Sequence, residues 1–449
     1  MHSSQPAMWL VNLFFSLGLF SLCTGLPAIA DSPAVSPDEG WPQWRGPGGF
    51  GISLDKRVPL TWSETHNLVW KTALQGAGNS TPIVWGDRIF LTESHDGGKE
   101  LWVVCLRVGD GKVLWRNRAA QVATPPKTHE WNGHASPSCT TDGKYVYAFF
   151  GTPGLLCYDL DGHPVWKHVF GIFTSETGWG VGASPFLFED LVIQNCDNDG
   201  PQALPPGHKP EEAAPMALVA LDKKTGEVRW QTKRDQGRGF STPVLTESPA
   251  GRTELLLNGP HGIWSYEPRT GKEIWHCERH KGDEQALFGE PLPVFDVGCV
   301  YVASGRPGPL QAINRSGQGD VTKSHILWEV SRKGSRDVAS PILSPSGEDL
   351  HLADRYGMLT VYDTKTGKVR FKERLGPKPF VASPVLVRGK LLYTMEDGTT
   401  YVLEPGPELK IVGRNRLNDG TEFRASPAIA DGRLFLRSQA YLYCIAEKG

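Results

Sequence analysis

Histidine, glutamate and asparagine side chains come together in one segment, residues 129–134, which reads His-Glu-Trp-Asn-Gly-His. Two histidines and a glutamate are the groups of a zinc protease, in which the motif H-E-x-x-H lies on a helix and both imidazoles share one face. Here the second histidine stands one residue later than that motif requires, and the neighbouring glycine and prolines favour a loop. We therefore expect no metalloprotease. The segment contributes four candidate ligand-binding residues, which are His129, Glu130, Asn132 and His134.

A second group of oxygen-bearing side chains follows the strand-like run at residues 191–195. Asn195, Asp197 and Asp199 alternate as the first ligands of an EF-hand calcium loop do, and Gly200 stands at the turn position. The closing bidentate glutamate is missing, because Pro206 occupies the twelfth position. The pattern predicts a weak Ca²⁺ site or, as the alternative that we favour, a polar hairpin with a proline-rich insertion.

The elements that must position these groups repeat along the chain. Eight times a small residue or an acid precedes a proline, and a strand-like run follows. Successive prolines of these pairs lie between 43 and 58 residues apart, a period typical of repeat architectures. The pairs are Thr81-Pro82, Ser136-Pro137, Ser184-Pro185, Thr242-Pro243, Glu290-Pro291, Ser340-Pro341, Ser383-Pro384 and Ser426-Pro427.

Each repeat contains four short strand-like runs separated by Gly, Asp and Asn, the pattern of an antiparallel meander. A Thr-Gly or Asp-Gly turn precedes the fourth run, which carries a tryptophan or phenylalanine for packing. Four-stranded units repeated radially form a β-propeller. The fold class predicted is therefore all-β, an eight-bladed β-propeller of four-stranded antiparallel blades. The last unit lacks a fourth run, and we expect an N-terminal strand near residues 68–72 to complete it and remove two open edges.

Polar residues that depart from the repeat collect on one predicted face. In a blade, the loop that enters the first strand and the hairpin after the second strand lie at the same mouth of the channel. Convergent polar groups at a concave mouth favour a ligand site. Ordinary solvated loop residues, or ion pairs between blades, are the alternative. Besides residues 129–134, the candidates are Arg234, Asn258, Glu290, Arg306, Asp354, Glu396 and Arg437.

Composition narrows the class of partner. The formal net charge is only −2 and no run of lysine or arginine occurs, so we expect no nucleic-acid partner. Residues 8–26 form an apolar stretch, and Ala28-Ile29-Ala30 fits a cleavage pattern, which predicts a signal peptide at residues 1–30 cleaved near Ala30. An uncleaved membrane anchor is the alternative. We then expect a linker and lead-in at residues 31–65 and the propeller at residues 66–449.

The repeat resembles the pyrroloquinoline-quinone-like (PQQ-like) β-propeller family. Its clearest copy, residues 219–230, reads Val-Ala-Leu-Asp-Lys-Lys-Thr-Gly-Glu-Val-Arg-Trp. The lead-in at residues 41–47, Trp-Pro-Gln-Trp-Arg-Gly-Pro, is similar to that of secreted members from planctomycete-type bacteria. The resemblance covers about nine-tenths of the chain and is specific for fold, whereas a fold does not determine an activity.

The resemblance implies two kinds of function. Quinoprotein alcohol dehydrogenases of the family bind PQQ and Ca²⁺ in the central funnel, usually beside a vicinal disulfide, and this chain has no Cys-Cys pair. Similar propellers of the outer-membrane protein assembly machinery are not enzymes. We expect a periplasmic or secreted, monomeric, non-catalytic binding or scaffold protein. It would have no cofactor and no membrane span in the mature chain, and a protein or small-molecule ligand at the channel mouth. The alternatives are an oxidoreductase that binds PQQ, with or without Ca²⁺, and a hydrolase or lyase that uses the 129–134 loop.

Overall fold

Groups of four short apolar runs fold into separate antiparallel sheets along the chain. The computed structural model describes residues 40–176, 178–279, 289–305, 308–332 and 339–447. In these residues eight sheets form a propeller ring, each with its first strand facing the channel, so the predicted all-β, eight-bladed fold is confirmed. The signal peptide predicted at residues 1–30 and the candidate residue Arg306 lie outside the described residues.

The strands of the lead-in and of the first four blades have the following bounds. Two strands precede the first blade: β1 (Ile52–Ser53) and β2 (Leu68–Ala73). Blade 1 comprises β3 (Ile83–Trp85), β4 (Arg88–His95), β5 (Glu100–Arg107) and β6 (Val113–Gln121). Blade 2 comprises β7 (Thr140–Thr141), β8 (Tyr145–Phe149), β9 (Leu155–Asp159) and β10 (Pro164–His168). Blade 3 comprises β11 (Phe186–Phe188), β12 (Leu191–Asn195), β13 (Ala217–Asp222) and β14 (Val228–Lys233). Blade 4 comprises β15 (Val244–Glu247), β16 (Thr253–Gly259), β17 (Gly262–Tyr266) and β18 (Glu273–Glu278).

The remaining blades follow the same order. Blade 5 comprises β19 (Val294–Phe295), β20 (Cys299–Ala303), β21 (Leu310–Asn314) and β23 (Ile326–Val330), while β22 (Gly319–Asp320) pairs in parallel with β18 of blade 4. Blade 6 comprises β24 (Ile342–Leu343), β25 (Asp349–Ala353), β26 (Met358–Asp363) and β27 (Val369–Arg374). Blade 7 comprises β28 (Val385–Val387), β29 (Lys390–Thr394), β30 (Thr399–Glu404) and β31 (Lys410–Arg416). Blade 8 comprises β32 (Ala428–Ala430), β33 (Arg433–Arg437), β34 (Tyr441–Ile445) and β2.

Helical structure in the described part of the chain is limited to short 3-10 turns. In the described residues these are Pro47–Gly49, Asp96–Gly98, Pro201–Ala203 and Pro210–Glu212. Within that part of the chain, no helix has the length and apolar character needed to cross a membrane. The hydrophobic core lies between neighbouring sheets, where apolar clusters join blade 3 to blade 4, blade 5 to blade 6 and blade 6 to blade 7.

A ring of hydrogen bonds links the first strands of the blades. Equivalent positions two residues before each first strand carry Thr81, Ser138, Ser184, Thr242, Leu292, Ser340, Ser383 and Ser426. At six junctions, the backbone N–H of one such residue donates to the side-chain hydroxyl of the next blade, at 2.9–3.0 Å. We call these eight positions the hydroxyl ring. The hydroxyl bond therefore explains why serine or threonine marks most of the repeats.

At the other two junctions, a hydrogen bond from a side chain to a backbone carbonyl takes the place of the hydroxyl bond. Blade 5 has Leu292 in the ring, and there Asn258 of blade 4 donates to the carbonyl of Pro291 at 2.8 Å. Between blades 8 and 1, the guanidinium of Arg437 donates to the carbonyl of Ser80 at 3.0 Å. Both side chains are buried, with exposures of 0% and 1%. All eight junctions are thus linked at the channel by direct hydrogen bonds.

The register of two repeats differs from the one that the proline pairs suggest. In blade 2 the ring position is Ser138, so Ser136-Pro137 lies two residues before it. In blade 5 the ring position is Leu292, and Glu290-Pro291 is displaced in the same way. Glu290 is therefore a residue of the entering loop and not an acidic substitute in the ring.

Tryptophans of the fourth strands link the blades at the outer edge. The indole N–H of Trp70, Trp115, Trp166 and Trp328 donates to a backbone carbonyl at the turn of the next blade, at 2.8–3.1 Å. The glycine of that turn lies against the ring: a Cβ on Gly226 would be 2.6 Å from Trp166. Gly226 also has φ +74°, which L side chains rarely adopt. The turn glycine is therefore needed both for its backbone conformation and for the packing of the preceding blade.

The N-terminal strand completes the last blade, as predicted. Strand β2 pairs antiparallel with β34, with Trp70 opposite Cys444 and Ala73 opposite Tyr441. The outermost strand of blade 8 thus comes from the start of the ring. The sheet that joins the two ends of the propeller has no open seam.

The lead-in contacts the inner strands of the ring before β2 reaches the outer edge. Trp41 exchanges two backbone hydrogen bonds with Val84 of blade 1, at 2.8 and 2.9 Å. Strand β1 pairs in parallel with the inner strand β28, which places it on the channel side of blade 7. Between them Arg45 is fully buried and donates to four backbone carbonyls, among them Phe50 at 2.9 Å and Pro341 at 3.1 Å. Burial lowers the pKa of Arg45 to about 10.

The hydroxyl ring predicts a specific loss of stability on removal of one hydroxyl. Ser340→Ala removes the acceptor of the buried Leu292 N–H, and an unpaired buried donor costs about 1–3 kcal/mol. We expect the free energy of unfolding, measured in guanidinium by tryptophan fluorescence, to fall by that amount. Ser316→Ala, at an exposed serine outside the ring, is the matched control and should change it by less than about 0.5 kcal/mol. Equal stability of the two variants would contradict a stabilising ring.

The outer contacts predict different effects at two glycines with similar backbone conformation. Gly389 has φ +70° and open space where an added methyl group would lie, so Gly389→Ala should cost only backbone strain of about 1–2 kcal/mol. Gly226→Ala adds an overlap with Trp166, which should cost about 1–3 kcal/mol more. Thermal and denaturant unfolding of both variants measures the difference. Equal losses would mean that the tryptophan contact contributes nothing.

Candidate functional site

A cavity of about 160 Å³ lies at the channel mouth, where the loops that enter the first strands meet. The hydroxyl ring contributes Ser138, Ser184, Ser383 and Ser426 to its lining. Each of these hydroxyls already accepts a backbone N–H from the neighbouring blade. The cavity therefore lies directly on the bonds that hold the blades together.

Aromatic side chains supply much of the cavity wall. Trp44 reaches it from the lead-in, and its indole N–H lies 3.4 Å from the Ser426 hydroxyl. Trp131 and Trp179 come from the loops between blades 1 and 2 and between blades 2 and 3, and Phe240 comes from the loop before blade 4. All three tryptophans are partly exposed. The wall thus offers apolar ring surface that water still contacts.

The 129–134 loop is held in place by contacts on several sides. The imidazole of His129 stacks on Trp179 with ring centroids 3.7 Å apart and an interplanar angle of 12°. The Asn132 amide donates to the carbonyls of Trp179 and Val181 and accepts a hydrogen bond from Ser136. The guanidinium carbon of Arg355 lies 4.4 Å from the Trp131 ring centroid, a cation–π contact. The loop is therefore an ordered part of the mouth.

Charge at the cavity is largely balanced. Arg424 lines the cavity and pairs with Glu396, with Nε and Oε1 2.5 Å apart and both side chains about one-tenth exposed. Another nitrogen of Arg424 donates to the carbonyl of Glu130 at 2.5 Å. Glu290 is the other charged residue in the described lining. Of the predicted residues, Asn132 and Glu290 thus line the cavity. Glu130 and Glu396 do not line it, but both contact Arg424, which does.

Arg234 lies away from this cavity in a buried ion pair. Its Nε and Nη2 donate to the two carboxylate oxygens of Asp197 at 2.9 and 3.1 Å, and Nη1 donates to the Tyr266 hydroxyl at 2.5 Å. Burial alone would lower the pKa of Arg234, but the interactions with Asp197 and Tyr266 raise it overall. The guanidinium therefore remains charged and serves packing between blades 3 and 4.

The oxygen-bearing residues of the predicted calcium loop make contacts within the protein. Besides the Asp197–Arg234 pair, Asp199 pairs with Arg238 at 2.8 Å and accepts the backbone N–H of Glu176 at 2.7 Å. The Asn195 amide donates to the carbonyl of Ser241 at 3.1 Å. Within the described ranges no cluster of three or more His, Cys, Asp or Glu residues is placed to hold a metal ion. The alternating oxygens thus hold the segment after β12 to Arg234, Arg238 and the loops beside it.

Other predicted residues have structural contacts. Asn258 and Arg437 complete the two junctions described above, and burial lowers the pKa of Arg437 to about 10. The Asp354 carboxylate accepts the backbone N–H groups of Tyr356 and Met358 at 2.8 and 3.1 Å, which fixes a hairpin turn. His134 is half-buried against Gly98, and this burial lowers its pKa. None of these four candidates lines the cavity.

PQQ is a tricarboxylate, so a site for it needs several cationic or strong donor groups. In the described lining the only cation is Arg424, which Glu396 already neutralises. The seven cysteines of the described residues are all free and buried, so the family's vicinal disulfide has no counterpart among them. These residues do not fit PQQ.

Sequence reasoning did not single out the aromatic wall. Trp44, Trp179 and Phe240 lie outside the strand repeat, in the lead-in and in entering loops. Trp179 stands between Gly178 and Gly180 in a polar segment. A tryptophan in such a loop is not needed for packing between strands, so it could have indicated a binding surface. The charged residues were predicted as ligand-binding residues because they depart from the repeat pattern. In the structure, most of them form ion pairs and hydrogen bonds with other residues of the protein.

Comparison with known proteins agrees with this architecture. The family model described as outer membrane protein assembly factor BamB matches residues 59–175, 212–324 and 320–406, more than half of the chain. BamB of Salmonella typhimurium is 22% identical over 384 residues, which cover 78% of this chain and 92% of that protein. Methanol dehydrogenase (cytochrome c) subunit 1 of Paracoccus denitrificans is 22% identical over 339 residues, 69% of this chain and 47% of that protein.

Solved structures show the same fold. A europium-containing methanol dehydrogenase superposes with a TM-score of 0.65 at 12% identity, over 92% of this chain and 98% of the other. At such identity the likeness concerns the fold alone. The expected resemblance to PQQ-like propellers is confirmed. The chain belongs to the PQQ-like repeat β-propeller family that is described as outer membrane protein assembly factor BamB.

Proposed function

We propose that this chain is a non-catalytic binding or scaffold propeller that acts outside the cytoplasm as a monomer. Its partner protein or small-molecule ligand binds at the channel mouth. The observation that carries the proposal is the partly exposed aromatic wall formed by Trp44, Trp131 and Trp179 around a cavity.

Aromatic surface of this kind favours binding for a physical reason. Tryptophan buries a large area at low cost in side-chain entropy, and it is enriched among the residues that dominate binding energy. A concave site with apolar walls and a few placed polar groups is the usual form of a ligand pocket. The mouth has this form, with Asn132 and the ring hydroxyls as its polar groups.

The comparisons support binding more directly than catalysis. BamB of Salmonella typhimurium, of which this chain covers 92%, is named as an assembly factor. The only cation of the described lining, Arg424, is paired with Glu396, which does not favour the tricarboxylate PQQ. The apolar stretch and cleavage pattern at residues 1–30 support export from the cytoplasm.

Mouth-dependent capture of a partner tests the proposal. Purified protein immobilised on beads would be exposed to an envelope extract, in parallel with the double variant Trp131→Ala/Trp179→Ala. We expect the double variant to lose a stoichiometric partner that the unaltered protein retains, because truncating two central aromatic residues costs about 2 kcal/mol or more each. Trp85→Ala is the matched control, since Trp85 is a partly buried tryptophan at the other end of β3 and does not line the cavity.

The enzyme alternative is tested on the same protein. PQQ would be titrated with and without Ca²⁺ while its absorbance and the alcohol- or sugar-dependent reduction of a dye are followed. We expect neither binding nor reduction. Turnover that the mouth variants abolish would contradict a non-catalytic role, and partner capture that survives in the double variant would place the binding surface elsewhere.

A further inference from the structure

The cavity has a lining of hydroxyl groups with capacity for further hydrogen bonds. Ser138, Ser184 and Ser383 each accept one backbone N–H. A hydroxyl has one donor and two acceptor lone pairs, so each retains its own O–H and a second lone pair. Groups that donate and accept at once are complementary to hydroxyl groups of a ligand, which do the same. Carboxylates or ammonium groups, in contrast, need only one of the two roles.

The aromatic residues supply the second half of a saccharide site. A sugar ring presents hydroxyls around its edge and C–H groups on its faces, and the C–H face packs on an aromatic ring. Trp131 and Trp179 stand on adjoining entering loops beside the serine hydroxyls, and Trp44 approaches from the lead-in. The stacked His129 and the Asn132 amide hold Trp179 and its loop, so the wall is preorganised for binding.

Charge and size narrow the ligand further. Arg424 is neutralised by Glu396, which leaves no cation in the described lining to select an acidic sugar. The cavity of about 160 Å³ is small beside the roughly 300–1,000 Å³ of pockets that enclose drug-sized ligands. It therefore suits a single ring.

We infer that the channel mouth binds one neutral saccharide ring, as a free sugar or as the terminal unit of a glycan. The inference rests on the proposed binding function and names its ligand class. The ring hydroxyls would exchange hydrogen bonds with the sugar's edge, while the tryptophans would cover its C–H faces.

Calorimetric titration with defined probes tests this inference. The probes are the methyl glycosides of glucose, galactose and mannose, trisaccharides of the same three sugars, and glucuronate as a charged counterpart. We expect saturable binding of at least one neutral probe and none of glucuronate. Binding of methyl glycosides and trisaccharides alike indicates a free sugar, whereas binding of trisaccharides alone indicates a glycan end. Absence of binding by every neutral probe, or tighter binding of glucuronate, would overturn the inference.

Variants connect binding to the cavity. Trp179→Ala and Trp131→Ala should each weaken binding about tenfold or more, since each removes the apolar ring on which a face of the sugar packs. Trp179→Phe retains a ring and should recover part of the affinity, which a merely misfolded loop would not allow. Trp85→Ala should bind as the unaltered protein does. Equal affinity of all variants would also overturn the inference, because the sugar would then bind elsewhere.

Failure of this inference can be distinguished from failure of the proposed function. Capture of a partner protein that depends on Trp131 and Trp179, without affinity for any neutral saccharide, rejects the sugar and leaves the binding role standing. If neither partner capture nor saccharide binding depends on the channel mouth, both the proposed function and the saccharide inference are rejected.

Discussion

Eight inner strands must meet around a channel without leaving buried backbone N–H groups unpaired. Each unpaired group would cost about 1–3 kcal/mol, a large part of the stability of any domain. At six junctions the hydroxyl ring meets this demand with one repeated bond, and at the other two Asn258 and Arg437 link the blades by donating to backbone carbonyls. Because each bond sets one blade against the next, the ring also determines the spacing of the serines that line the cavity.

The lead-in belongs both to the ring and to the site. Strand β1 adds a fifth strand on the channel side of blade 7, and Arg45 is anchored to backbone carbonyls inside the ring. Trp44, the residue before this anchor, is thereby held at the cavity. Fold and site are joined at this point, since the same short segment stabilises the ring and contributes to the binding surface.

The fold could be predicted from sequence because most repeats contain three local markers of their strands: a Ser/Thr-Pro pair, a Gly turn and a tryptophan. The same logic failed locally at Ser136 and Glu290, where a proline two residues early imitates the ring position. The candidate site was predicted only in part. Asn132 and Glu290 line the cavity. Arg234 and Arg437 instead form hydrogen bonds with Asp197 and Ser80, which lie 37 and 357 residues away in the sequence. Such pairings, and the approach of Trp44 and Trp179, depend on ring closure and leave no local pattern.

The outer contact between a tryptophan and the glycine of the following blade is directional. A repeat that has both residues carries a tryptophan for one neighbour and a glycine for the other, as Trp166 with Gly226 and Trp328 with Gly367 illustrate. A duplicated repeat of this kind would arrive with both halves of the contact already in place. Such a duplication would preserve the outer contacts on both sides of the new blade, and the shared last sheet, in which β2 meets β34, would still join the two ends of the ring.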